Sequence, residues 1–222
     1  MPRILTSPPS SGGGATVDDA SVNGVISVAG ASRTTIEGIA SGLDAPAASQ
    51  HASGLYYIAD DHGLASASSS LMVANTGYFK PFYLDDDITV TALACAVASG
   101  VALSTIRLGI YSMVDGVPVT LLAGTDAIDT STNGARSETL GTPLVLPRGM
   151  YAACTKSEGV TTATMSGSAS HRSRHVGLAA PNGNQVQCYS AAGMSAGALP
   201  ATAPAVAASA SGVPAAIWFK VQ

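Results

Sequence analysis

Charge is scarce in this sequence: Asp, Glu, Lys and Arg together make up 11% of its 222 residues, and aromatic side chains 5%. That share of charge lies well below ordinary globular usage, so the surface must be polar through hydroxyls and backbone. The formal charge of −4, with no clustered Lys and Arg, excludes a general attraction to nucleic acid, which works by releasing counterions from phosphates. No acidic residue follows Glu158, and beyond it the cationic side chains are Arg172, Arg174 and Lys220, with His171 and His175 beside them. Such a half either faces an acidic partner or is a weakly charged β region. Cysteine pairs are missing as well. Cys95, Cys154 and Cys188 are odd in number, far apart and set in apolar runs, which predicts buried free thiols and no Cys-based zinc site. No run approaches the roughly 20 apolar residues of a bilayer-spanning helix, and MPRILTSPPSSGGG meets Pro and Gly before any signal-length apolar stretch. The expectation is a soluble product without membrane insertion. Neither a phosphate-cradling P-loop nor a dinucleotide fingerprint is present, so no cofactor is expected.

What is present is Ala, Gly, Ser, Thr and short strand-like runs. Residues 1–20, with PP, SS and GGG, read as a flexible anchoring arm whose composition cannot offset the entropy of ordering. Residues 21–70 hold short apolar patches split by Gly and read as a connector with short strands or turns. From residue 71 to 222, strand signals alternate with turn chemistry. GYFKPFYL is interrupted by Pro81, which confines it to an edge or a bulge. In ITVTALACAVAS, Ile88 and Val90 share one parity while Leu93, Cys95 and Val97 share the other, which predicts a bulge near Ala92. Ile106, Leu108 and Ile110 alternate with Arg107, Gly109 and Tyr111, one set inward and one outward. Asp115 and Gly116 then supply the turn to VPVTLLAG. With DAIDTST, ARSETLGTPLVL, GMYAACTKS, VTTATMS, NQVQCYSAAG and AAIWFKVQ, eight or nine strands result and no long helix. The fold expected is all-β: an antiparallel jelly-roll-like β-sandwich with an extended N-terminal arm.

Four stretches invite a chemical reading. GMSAG, residues 193–197, fits the nucleophile elbow G-x-S-x-G around Ser195, yet no Asp, Glu or His follows it, so the chain order of that hydrolase fold fails. In HRSRH, the spacing of His171 and His175 would suit metal ligation on a helix. Its flanks read as loop and strand, so His171, Arg172, Arg174 and His175 are candidates for an exposed surface-binding loop able to grip an anionic sugar. The run Asp85–Asp87 offers calcium-type oxygens or solvated charges that blunt a strand end. Asp60, Asp61 and His62 read the same way. Tyr56, Tyr57, Tyr78, Phe79, Phe82 and Tyr83 concentrate the aromatics. Of these, Tyr78, Phe79, Phe82 and Tyr83 are candidates for packing or for glycan contact. No catalytic and no metal residues are assigned.

The run RLGIYSMVDGVPVTLLAGTDAIDTSTNGARSETLGTPLVLPRGMYAACTKSEG resembles a module of structural proteins in tailed bacteriophages, tail-fibre and related virion appendage proteins in particular. The resemblance rests on R-L-G-I-Y at 107–111, D-G-V-P at 115–118, T-L-L-A-G-T at 120–125, D-T-S-T-N-G at 129–134 and L-P-R-G-M-Y at 146–151. With YFKPFYLDDDITVTAL upstream and P-A-A-I-W-F-K-V near the terminus, it spans about residues 71–222. Val119, and Ala152 and Ala153 after Tyr151, depart from the usual pattern. The resemblance implies a non-enzymatic virion subunit, assembled in the bacterial cytoplasm, that docks to other virion proteins through residues 1–20. It implies association with identical subunits, a trimer for a fibre or spike, and exposed loops that attach to host-surface glycan. A capsid decoration or head-fibre protein and a secreted carbohydrate-binding module are the alternatives.

Overall fold

The computed structural model describes residues 51–59, 67–159, 161–168, 176, 188–209 and 215–222. The arm at 1–20, the connector up to residue 50, Asp60, Asp61, His62 and the HRSRH loop with His171, Arg172, Arg174 and His175 lie outside these residues. Among the described residues there is no helix. Thirteen strands run in order: β1 (Tyr56–Ile58), β2 (Ala67–Leu71), β3 (Gly77–Leu84), β4 (Ile88–Ser99), β5 (Thr105–Val114), β6 (Val117–Gly124), β7 (Ile128–Asp129), β8 (Gly134–Leu146), β9 (Gly149–Glu158), β10 (Thr164–Ser168), β11 (Cys188–Ala191), β12 (Ala207–Ser209) and β13 (Trp218–Val221).

They form two antiparallel sheets packed as a β-sandwich. In sheet A, β8 lines one side of β4, while β13 and β10 share its other side and lead on to β1 and β2. Sheet B has the order β12-β11-β3-β9-β5-β6, with β7 beside β5. The chain crosses between sheets at β2–β3, β3–β4, β4–β5, β7–β8, β8–β9, β9–β10, β10–β11 and β12–β13, a jelly-roll-like alternation. The sandwich begins earlier than residue 71. Tyr56–Ile58 pairs with β13 and Ala67–Leu71 with β10, so these parts of the expected connector are strands of sheet A.

Local chemistry explains the strands that matter most here. The register of β4 against β13 slips between Val90 and Ala92, which face the consecutive Val221 and Lys220, so Thr91 is the extra residue of a bulge. The bulge turns Leu93, Cys95 and Val97 onto the same buried face as Ile88 and Val90. Asp115 and Gly116, at φ 50° and 79°, make the two-residue turn joining β5 to β6, with Val114 opposite Val117. On β3, Pro81 faces Ala152 of β9, whereas β11 reaches only as far as Phe79. The missing N–H therefore falls on the uncovered stretch of the strand.

Two apolar cores result. Ile106, Leu108 and Ile110 of β5 meet Leu93, Cys95 and Val97 of β4 and Phe219 of β13 between the sheets. The outward face of sheet B is covered too: Phe79, Tyr111, Ala152 and Cys154 pack against Met194 and Leu199 of the segment after β11. Tyr111 is thus buried, not solvated as strict alternation predicts, and its hydroxyl donates to the Pro200 carbonyl at 2.8 Å. The three cysteines are free and buried.

Candidate functional site

With the outside of sheet B closed by the 192–206 segment, the outward face of sheet A is where the described residues leave a depression. Leu93, Cys95 and Val97 point into the core, so Ala92, Ala94 and Ala96 of β4 face the other way. Ala94 lies opposite Trp218 of β13 and Ser137 of β8, and Ala96 opposite Ala135. On β1, Tyr56 pairs with Lys220 and Ile58 with Trp218, which carries the outward row across the sheet. The result is a trough of about 330 Å3 with Ala94, Ala96, Ala135 and Ser137 along it and Tyr56 and Trp218 at one side. Cys95 and Arg136 complete the lining. Small floor residues are what allow two aromatic rings to stand above the sheet.

Tyr56 is 43% exposed and Trp218, the chain's one tryptophan, is half-buried. The Lys220 ammonium sits 5.8 Å from the Tyr56 ring centre, a cation–π contact that steadies the ring and brings positive charge to the rim. Arg136 adds a second cation, but its guanidinium already donates to the carbonyls of Asp129, Thr132 and Ala135, so it clamps the β7–β8 loop. Chemically, the trough offers aromatic faces, an indole N–H, two hydroxyls and a weakly positive edge. It holds no nucleophile paired with a base.

Of the aromatics concentrated in the sequence, Tyr56 lines the trough, while the four candidates for glycan contact fall elsewhere. Tyr78, Phe79 and Phe82 are core residues, at 5%, 0% and 2% exposure, while Tyr83 is exposed. Phe79 meets Tyr111 edge-on, and Phe82 stacks toward Phe219. Trp218 alternates with the buried Phe219 and Val221 along the last strand and so takes its outward parity. Its meaning depended on Tyr56 and the alanines of β4, which lie far away along the chain.

GMSAG has a structural role. It is a loop after β11, without the strand-turn-helix setting of a nucleophile elbow, and Gly193 and Gly197 take φ 71° and 99°. Lys156, fully buried on β9, donates its Nζ to the carbonyls of Ser195 at 2.9 Å and Gly197 at 2.6 Å, and pairs with Glu158 at 2.7 Å. Glu158 also accepts from the Gly197 N–H at 2.9 Å and from Arg107 at 3.3 Å. Burial pushes the Glu158 carboxyl upward, but the hydrogen bonds from Lys156 and Gly197 and the charges of Lys156 and Arg107 outweigh it and hold the group below its ordinary value. His51, the only histidine among the described residues, bonds Asp86 beyond the far end of β3, while the GMSAG loop binds Asn75 before its start. An eight-residue strand, roughly 25 Å long, separates Ser195 from that dyad.

The acidic run divides by role. Asp87 accepts the Arg148 N–H at 2.7 Å and so caps the β8–β9 turn. Asp85 and Asp86 turn toward His51, and Asp86 is half-buried, so the run is more than a set of solvated charges. No protein-family model matches the chain, and no curated protein or solved structure matches it either.

Proposed function

We propose that the chain is a non-enzymatic structural subunit of a tailed-phage virion appendage, of tail-fibre or spike type, and that its sandwich attaches the particle to host-surface glycan. In this reading residues 1–20 dock the subunit to other virion proteins, identical subunits associate as a trimer, and the outward face of sheet A meets the sugar. The observation that carries the attachment role is Trp218 standing half-exposed beside Tyr56 over an alanine floor. A pyranose ring has an apolar face of C–H groups and a rim of hydroxyls. Aromatic planes accept the first, and Ser137, the indole N–H and the Lys220 ammonium suit the second. A trough this shallow gives weak single contacts, which many copies on one particle convert into firm attachment.

The virion role is supported by where the resembling motifs fall. D-G-V-P holds the β5–β6 turn, and L-P-R-G-M-Y holds the β8–β9 turn, where the Tyr151 hydroxyl donates to the Pro147 carbonyl at 2.6 Å. These are positions that set shape, as expected of an architectural module. Purified particles, separated into heads and tails and probed with an antibody to this chain, test the assignment. Signal on tails supports it, signal on heads favours a decoration protein, and no signal on particles refutes it. For attachment, particles carrying Trp218→Ala should adsorb to host cells at least tenfold more slowly while assembling normally.

A further inference from the structure

We propose that His51, Asp85 and Asp86 form a binding site for one divalent first-row transition-metal ion, at the end of the sandwich away from the GMSAG loop. A donor atom from each of the three residues lies within 4.8 Å of the others, and His51 Nδ1 is 2.8 Å from Asp86 Oδ1. That separation suits two ligands on adjacent positions of one ion at about 2.0–2.2 Å each. The three donors come from two segments 34 residues apart in the chain, brought together by the pairing of β13 with β1 and β4.

Two observations favour an ion over a simple His–Asp pair. First, the imidazole is held in place from behind: it packs edge-on against Tyr57 at 4.5 Å and tilts over Phe219 at 5.9 Å, with 14% of its side chain exposed. Its backbone is fixed as well, since the Ala52 N–H donates to the Tyr57 hydroxyl and the Gly54 N–H to the Val221 carbonyl. Second, one carboxylate suffices to pair an imidazole, whereas this site gathers two. A divalent cation at this point interacts favourably with both carboxylate charges at once. Asp85 is exposed, which provides an entry path and leaves open positions for water. One nitrogen and two carboxylate oxygens select zinc- or manganese-type ions over calcium, which prefers six to eight oxygens. Bound there, the ion ties the chain's entry into β1 to the β3–β4 turn. This site is separate from the trough and does not depend on the glycan reading.

Calorimetric titration of the full chain with ZnCl2 decides the matter, because other histidines add their own equivalents. The site predicts that His51→Ala and Asp86→Asn each lose one equivalent relative to wild type, and that Asp85→Asn weakens the same step at least tenfold. It also predicts a Zn2+-dependent rise in Tm that the variants lack. Asp85 is exposed, so Asp85→Asn keeps a folded chain in the comparison even if His51→Ala does not fold. Identical stoichiometry and affinity in wild type and Asp85→Asn overturns the proposal, as does tighter binding of Ca2+ than Zn2+ at these residues.

Discussion

Lys156 has no exposed surface, and its ammonium is satisfied by two carbonyls of the GMSAG loop and by Glu158. Glu158→Gln keeps the shape and removes the compensating charge, which should cost about 3 kcal/mol in urea unfolding. The pH dependence follows from the lowered pKa of Glu158. Its stabilisation is complete above the ordinary value of 4.5 and is lost as pH falls through the lower folded-state value. Wild type should therefore lose more stability between pH 5 and pH 2 than Glu158→Gln does, and equal losses would refute the role given to the carboxylate. Leu103 shows the reverse situation. It holds φ 64° in the turn closed by the Ser104 N–H to Val101 carbonyl bond, and it is 93% exposed. That backbone state costs a leucine about 1–2 kcal/mol, against about 0.5–1 for the entropy a glycine loses, so Leu103→Gly should stabilise by about 0.5–1 kcal/mol. Desolvation pushes the thiols of Cys95 and Cys188 up to about 12 and that of Cys154 higher still. A thiol reagent at pH 8 should find no reactive cysteine in the native chain and three after denaturation.

Among the elements, those with contrast between apolar and polar positions were legible in the sequence. β3, β4 and β5 begin and end where their runs do, and Pro81, the parity switch at Thr91 and the Asp115–Gly116 pair are legible because each acts through local backbone geometry. Strands built from Ala and Ser were not legible. β2 and β12 carry no alternation, and only their hydrogen-bonded neighbours β10 and β11 define them. Tyr111 takes the outward face that its parity predicts, and nothing local says that a later segment covers that face. The β5–β6 turn gives a direct check at this scale. Nothing lies within 4 Å of a Cβ built on Gly116, so Gly116→Ala should cost about 1 kcal/mol from backbone strain alone. Chemical denaturation of the variant measures it.

At the scale of the whole molecule, the two outward faces of the sandwich differ. Sheet B is sealed by Met194, Leu199 and the loop anchored on Lys156, whereas sheet A carries a trough edged by Tyr56 and Trp218. The all-β architecture could be read from turn spacing. The trough could not, because its parts come from β1, β4, β8 and β13 and meet only through sheet pairing. The His51 cluster is hidden in the sequence for the same reason, since Asp85 and Asp86 form a run and their imidazole partner lies more than 30 residues upstream. Since Trp218 is the only tryptophan, its fluorescence reports on the trough without interference. Titrating the folded chain with purified host-surface polysaccharide should give a saturable change in Trp218 emission, weakened at least tenfold in Tyr56→Ala. An emission spectrum that stays unchanged up to millimolar sugar, with the chain folded throughout, would contradict the attachment role of this face.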